Sequence, residues 1–490
     1  MAYADLHEFV GELEKAGELR RVKAEVDPVL EITEVVQRMQ AQSGPKGNPG
    51  GTALLFENPK GSRYPLLINA FGSERRMQLA FEVDKLDDIA ARIRGFLNMQ
   101  TPQGLFDKMK MLPKLMELGA FFPRVVKEGK CKQVIRNGSD VNLFDFPILK
   151  CWPQDGGRFV TFPLVFTKNP VTGKRNVGMY RLQVYDQRTT GMHWQTQKHG
   201  AEHFRRARAV NPEGRIPVSV AIGSDPAVTL GGILPIPPDL DEMMFSGFLK
   251  KESVELVKCE TNELEVPANA EIVLEGYVNL NEMRTEGPFG DHTGFYSLEG
   301  QYPVFHVECI THRKDPIYLT TVVGRPPQED YYIGYAIERV FLPLMKMSHP
   351  EIVDVSMPAE GIVHNLMIVS IRKSFPGHAR KVMNAIWSLG QAMFTKVLVV
   401  VDHDVNVHDC REVVWKALCA IDPERDVQFM LGPMDTLDHA ARMQDFGSKM
   451  GIDATRKWAS EGFMRPWPDE ILMDQTTKSR VDALWKSLGI

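Results

Sequence analysis

The sequence predicts a multidomain α+β and α/β chain: an N-terminal α+β domain, a central split β-barrel and a C-terminal α/β domain. Three observations carry this. Helix and strand patterns mix over residues 1–115. Short β-type runs with turn punctuation dominate from about 130 to 320, and strand–helix alternation follows after about 330. A length of 490 residues fits two to four domains, roughly one per 100–200 residues.

The opening helix is signalled by Asp5 and Glu8 as a capping pair, by Leu6, Phe9, Val10 and Leu13 on one face, and by Gly17 as a stop. A second helix is expected over 31–40, then a mobile loop over 43–51, rich in Gly and Pro. Strands follow near 53–56 and 65–68, and a helix over 77–98 completes this domain. In the centre, strands are expected over 133–136, 160–167, 178–185, 218–223, 271–278 and 304–311, with Asn137-Gly138 as a hairpin turn. Beyond them, a helix over 377–393 leads into the apolar strand 396–401, and a further helix covers 408–420. The resulting boundaries are 1–115, 116–325 and 326–465. Residues 466–490 form a tail, helical over 478–488, that packs on a neighbour.

Hydrophobic content of 43% and charged content of 25% are ordinary globular values. A net charge of −5 gives no electrostatic case for nucleic acid or an anionic membrane. The six cysteines are scattered without a CxxC, which argues against a disulfide framework or a cysteine-built zinc site. They fit a reducing compartment, so a cytoplasmic location is expected. The start lacks a basic stretch followed by an apolar core, and no run reaches the roughly 18 apolar residues of a spanning helix. The 24 methionines read as adaptable core filler.

The chemistry concentrates in Glu286-Gly287-Pro288-Phe289-Gly290-Asp291-His292. Two Gly and one Pro within six residues exclude a regular helix or central strand and make a shaped turn with an acid at each end. Two carboxylates held close can be pushed apart in pKa, which is general acid–base equipment. Arg181 is the expected third member, able to clamp a substrate carboxylate or fix its neighbour. The plainer reading of the same spacing is a surface loop whose acids cap helices or face water. Asn176, His199 and Glu242 would suit Mn²⁺ or Mg²⁺ with a phosphate completing the shell, although each taken singly reads as a hydrogen-bonding residue. The run Leu230-Gly231-Gly232-Ile233-Leu234-Pro235-Ile236-Pro237 lets backbone approach a phosphate or a ring, or is a structural turn. Walker, GxGxxG, HExxH and GxSxG patterns are all missing, which lowers classical NAD, zinc-peptidase and serine-hydrolase readings.

Taken together, Asn176-Val177-Gly178-Met179-Tyr180-Arg181, Gly223-Ser224-Asp225-Pro226, the 260–268 run from Glu260 to Ala268, the 286–294 run from Glu286 to Gly294, Gly324-Arg325-Pro326-Pro327 and the 447–455 run from Gly447 to Thr455 resemble the UbiD family of prenylated-flavin-dependent decarboxylases. The likeness runs nearly end to end and is nearest to the 4-hydroxy-3-polyprenylbenzoate decarboxylase branch. It implies a central flavin-binding split barrel and a C-terminal oligomerisation domain. It also implies prenylated FMN with its phosphate held through Mn²⁺ and with K⁺ nearby. The metal positions match Asn176 and Glu242; the third falls on His199, or on Gln197 if aligned to another branch. The implied flavin contacts are Asn176, Gly178, Met179, Tyr180, Arg181, Gln197, Gly232, Ile233, Leu234, Pro235, Glu242 and Lys396.

The implied reaction is reversible decarboxylation of an aromatic or α,β-unsaturated acid, of 4-hydroxybenzoate type or CoA-linked. Aromatic C–CO₂⁻ cleavage needs an electron sink that side chains do not offer. In the family the substrate carbon bonds the modified flavin before CO₂ leaves. Asp291 would then return the proton, while Arg181 and Glu286 hold the carboxylate region. Expected partners are the aromatic acid and CO₂, a flavin prenyltransferase supplying the cofactor, and copies of the chain in a homodimer or homohexamer. Two other readings stay open: a metal-dependent hydrolase using Glu286, Asp291 and His292 at the ion, and a non-catalytic subunit of a multi-subunit carboxylase.

Overall fold

Helix α1 (Leu6–Lys15) forms where its apolar stripe and cap predict it. The Asp5 carboxylate accepts from the Glu8 amide at 3.0 Å, and Leu6, Phe9, Val10 and Leu13 are buried. The structure is a computed structural model that describes residues 3–42, 44, 49–97, 119–195, 197–234 and 241–489. Most of the expected 43–51 loop, the boundary near 115, and Pro235 lie outside the described residues. After α1 come β1 (Leu19–Val26), α2 (Glu31–Gln40), β2 (Ala53–Pro59) and β3 (Leu66–Ile68). The helix expected over 77–98 is two helices, α3 (Glu74–Phe81) and α4 (Asp87–Leu97), broken where Glu82 turns left-handed at φ 51°. The break has a packing reason. α3 buries Met77, Ala80 and Phe81 beside α1, whereas α4 lies along the helix Glu329–Ser348, and one straight rod could not serve both.

The central domain runs through β4 (Arg124–Val126), β5 (Val134–Asn137), β6 (Arg158–Val160), β7 (Pro163–Lys168), β8 (Arg175–Met179), β9 (Leu182–Val184) and β10 (Thr189–Gly191). It continues with α5 (His199–Val210), β11 (Arg215–Ile222), α6 (Pro226–Gly231), α7 (Glu242–Lys250), β12 (Glu255–Lys258) and β13 (Glu265–Pro267). The last part is β14 (Ile272–Glu286), β15 (Phe289–Gly290), β16 (Tyr296–Ser297) and β17 (Gly300–His312). Nine strands form one sheet in the order β6-β9-β10-β17-β14-β11-β7-β8, with β5 added on β17. β8 is one edge of that path and β9 sits next to the other, yet only Tyr180 and Arg181 join them. Three chain steps reach roughly 11 Å at most, so the sheet curls until its edges approach. That is the split barrel, and Arg181 lies in its seam.

Three expectations for this domain need correction. The runs 160–167 and 178–185 are each two strands, broken at 161–162 and at 180–181, because the chain changes strand partner there. Asn137-Gly138 does not turn a hairpin. Gly138 takes φ 58° but opens a 3₁₀ turn (Gly138–Asp140), and β5 pairs with β17 instead. The residues that follow do not return as a strand; Val141, Leu143, Phe146, Ile148 and Leu149 pack into the main core.

The chain revisits the first sheet through β18 (Tyr318–Leu319), which pairs β3 in the order β1-β2-β3-β18. It then enters α8 (Glu329–Ser348) and a five-stranded sheet of β19 (Ile352–Ser356), β20 (Leu366–Ile371), β21 (Val397–Asp402), β22 (Val427–Pro433) and β23 (Phe446–Asp453). Strand β21 is buried on both faces. Leu398 and Val400 join a core with Val382, Met383 and Ile386 of α9 (His378–Ile386), while Val399 and Val401 join one with Val413 and Ala417 of α10 (Cys410–Ala420). The expected 377–393 helix therefore stops at Ile386; a 3₁₀ turn (Gly390–Phe394) with Gly390 at φ 46° closes the connection. The tail helix, expected over 478–488, is α11 (Gln475–Leu484) followed by a 3₁₀ turn, and no residue of 464–489 is buried within the chain. Among the described residues no helix is long and apolar enough to cross a membrane.

Candidate active site

Long strands deliver the site. β14 extends well past the expected 271–278 run and sets Glu286 at its end, and the β15–β16 ribbon carries Asp291 just beyond Gly290. Gln183 of β9 accepts the Gly287 amide at 2.7 Å, and Asp155 accepts the Gly290 amide at 2.8 Å, so both ends of the turn are pinned from the opposite side of the seam. Arg181 reaches into this turn. Its Nε and Nη2 lie 3.0 and 2.9 Å from Glu286 Oε1, Nη1 bonds Asp291 Oδ2, and Nη2 also donates to Ser297 Oγ at 3.1 Å. The guanidinium rests 4.4 Å from the centre of the Phe289 ring. Most of its N–H groups thus meet the protein's own groups, so Arg181 holds the two acids together.

Both acids are buried, the Glu286 side chain fully so, and the Arg181 side chain is 10% exposed. Burial alone would raise both carboxyls, but the Arg181 charge, joined by His193 at Glu286 and by His292 at Asp291, holds both well below the usual carboxylate range. Glu286 Oε2 meets His193 Nδ1 at 2.9 Å, and the His193 ring lies against Tyr302 at 4.3 Å. Burial and the Arg181 charge push His193 down, so it is a neutral donor. Asp291 Oδ1 accepts from the His292 amide at 2.8 Å and meets His292 Nδ1 at 2.9 Å.

A second cluster lies at the start of the seam. Asn176 and Glu242 are both buried, Asn176 at 5% and Glu242 at 6% exposure, and each leaves a polar atom, Nδ2 and Oε2, without a protein partner. Tyr180 is buried with them: its hydroxyl feels the Glu242 charge and accepts the Gly200 amide at the start of α5 at 3.2 Å. Burial pushes the Glu242 carboxyl up to about 7. Gly232 abuts Val177 and Leu164, which leaves no room there for a Cβ and brings the 231–234 turn against β8 beside Gly178 and Met179. Ile233 and Leu234 join the core next to Met179. His199 stands one residue from Gly200, but its side chain is exposed and makes no hydrogen bond or ion pair to Asn176 or Glu242 among the described residues; Gln197 is half-buried nearby. Lys396 opens β21 from the C-terminal domain and pairs with Asp438 at 2.9 Å.

Sequence reasoning missed His193, Ser297, Tyr302 and His364, which come from separate segments and share no spacing pattern. The metal-hydrolase reading finds no support in the geometry. Glu286 and Asp291 converge on a guanidinium, and no group of three His, Cys, Asp or Glu among the described residues is arranged to hold an ion.

Comparison with known proteins agrees along the chain. Residues 10–93, 124–326 and 331–454 match the N-terminal domain, the Rift-related domain and the C-terminal domain of 3-octaprenyl-4-hydroxybenzoate carboxy-lyase. A protein of Archaeoglobus fulgidus without an assigned function is 53% identical over 489 residues, covering 100% of this chain and 99% of its own. The closed form of vanillic acid decarboxylase from Sedimentibacter hydroxybenzoicus superposes with a TM-score of 0.85 at 28% identity, covering 100% of this chain and 99% of that one. An evolved dimeric form of the UbiD-class enzyme HmfF from Pelotomaculum thermopropionicum, solved with prFMN, gives 0.78 at 27% identity over 97% and 98% of the two chains. With these matches spanning all three domains, the chain belongs to the UbiD family, whose members are carboxy-lyases.

Proposed function

We propose that this protein catalyses reversible, non-oxidative decarboxylation of an aromatic or α,β-unsaturated carboxylic acid with prenylated FMN as cofactor. One observation carries the reading: a single guanidinium holds two buried carboxylates at the barrel seam, and Asn176 on β8, Tyr180 just before Arg181 and Glu242 at the start of α7 form a second polar cluster. The unpartnered Asn176 and Glu242 atoms fit a group that brings a cation and a phosphate. Asn176 and Glu242 would hold a divalent ion such as Mn²⁺, with His199 or Gln197 as third ligand. Gly178 to Arg181, Gly232 to Pro235 and Lys396 would line the flavin. When bound, the modified flavin supplies the electron sink that aromatic decarboxylation needs. Arg181 and Glu286 fix the position of Asp291, the dry seam keeps bulk water from competing, and Asp291 delivers a proton to the carbon that has lost CO₂. The intact Arg–Glu–Asp set argues against a non-catalytic subunit.

Three measurements test the cofactor part. Protein made alongside a flavin prenyltransferase should yield prenylated FMN on extraction and mass analysis, whereas protein made without one should be folded and inactive. Robust turnover with unmodified FMN alone would overturn the electron-sink argument. Glu242→Ala should lose most bound metal and flavin, because nothing then offsets the phosphate charge; full retention of both would remove Glu242 from the ion site. Comparing His199→Ala with Gln197→Ala by metal analysis identifies the third ligand, and full Mn²⁺ occupancy in His199→Ala excludes the imidazole.

A further inference from the structure

A proton donor must carry a proton, and Asp291 in this geometry does not. Buried yet held by Arg181 and His292, it is ionised at neutral pH. The proton sits beside it. His292 Nδ1 is 2.9 Å from Asp291 Oδ1, and the backbone amide of His292 anchors the same oxygen at 2.8 Å. Other elements face this imidazole with acids: Asp330 in the first turn of α8 and Asp435 after β22 add negative charge, while Arg181 bonds the other oxygen of Asp291. Burial works against the imidazolium, but the bond and charge of Asp291, with Asp330 and Asp435, outweigh it and raise His292 to about 9. The remaining neighbour is His364, edge-on at 5.3 Å, kept neutral by burial and with its Nε2 unpartnered. It follows two residues held left-handed, Ile362 at φ 43° and Val363 at φ 67°, a conformation that β-branched residues rarely adopt. Strain of this kind persists where the surroundings over-determine it, and here it fixes a ring against His292.

We propose that His292 is the proton store of the reaction, resting on the reading above that Asp291 is the final donor. The imidazolium gives its Nδ1 proton to the Asp291 carboxylate, and the carboxylic acid so formed passes that proton to the substrate carbon. One proton leaves His292 and one C–H bond forms. Neutral His292 then takes a proton from water. His292 acts through Asp291, and the acids of the C-terminal domain keep it charged.

The test uses the flavin-loaded enzyme and the His292→Asn variant, whose amide can still donate to Asp291 but cannot carry a titratable proton. Turnover should fall by roughly 10²-fold, with folding and flavin content retained; the parent should lose activity as pH rises through about 9, and the variant should lack that limb of the profile. A wild-type rate with an unchanged alkaline limb would overturn the proposal. If the variant does not fold, ¹⁵N-histidine NMR of the parent decides: one imidazole among 13 should titrate near pH 9, and its absence would overturn the proposal equally. An active Asp291→Asn would instead sink the underlying donor reading, whereas inactive Asp291→Asn beside fully active His292→Asn would sink only the store.

Discussion

Asp291→Asn is expected to leave a folded, flavin-loaded protein whose turnover is lower by roughly 10²-fold or more, the usual worth of a positioned acid. Asn fills the same space, and its one amide oxygen can still accept from either the Arg181 Nη1 or the His292 donors, which meet different oxygens of Asp291. What it cannot do is pass a proton. The stability cost should be about 1–3 kcal/mol, that of leaving a buried donor unpaired. Deuterium entry at the substrate carbon in D₂O should fall in step with turnover. Asp291→Glu should keep part of the activity with a changed substrate preference, since its carboxyl sits one methylene further out. A near wild-type rate for Asp291→Asn with prenylated FMN bound would move the donor role to Glu286.

Arg181→Met should be the most destabilising single change in the site. It strands two carboxylates in a buried seam, and removing one partner of a buried ion pair costs about 3–5 kcal/mol. The pH dependence should change sign as well. In the parent both acids are held below their ordinary values, so their contribution is present above the ordinary carboxylate range and is lost as pH falls through it. Without the guanidinium, burial dominates at Glu286 and raises its carboxyl above the unfolded value, while the His292 imidazolium still holds Asp291. The Glu286 contribution is then present at low pH and lost as pH rises. Calorimetric unfolding at pH 5 and pH 8 should show the parent favouring the higher pH relative to Arg181→Met. Parallel pH trends in the two proteins would contradict the network's role.

Local patterns carried the elements that packing leaves alone. The Asp5 cap, the α1 stripe and the apolar β21 strand formed where the residues predict them, because each states its own period. The breaks at Glu82, Tyr180 and Ile386 were hidden because each serves a long-range demand: a second packing partner, the barrel seam or a domain connection. The carboxylate turn was legible as chemistry because Gly and Pro mark a shaped loop. Arg181, 105 residues from Glu286, shares no spacing pattern with the acids, and the fold brings it to them. His193 and His364 show the limit. Each is an isolated histidine in a loop or at a strand edge, and only the folded sheet brings it to the acids.

The most direct test of the central claim is headspace CO₂ from the prenylated-flavin holoenzyme incubated with a panel of aromatic and α,β-unsaturated acids. The account predicts stoichiometric CO₂ and the decarboxylated product from at least one acid, with none from Asp291→Asn above background and none from protein lacking the prenylated flavin. CO₂ release that is equal in Asp291→Asn, or that proceeds without the modified flavin, would contradict it.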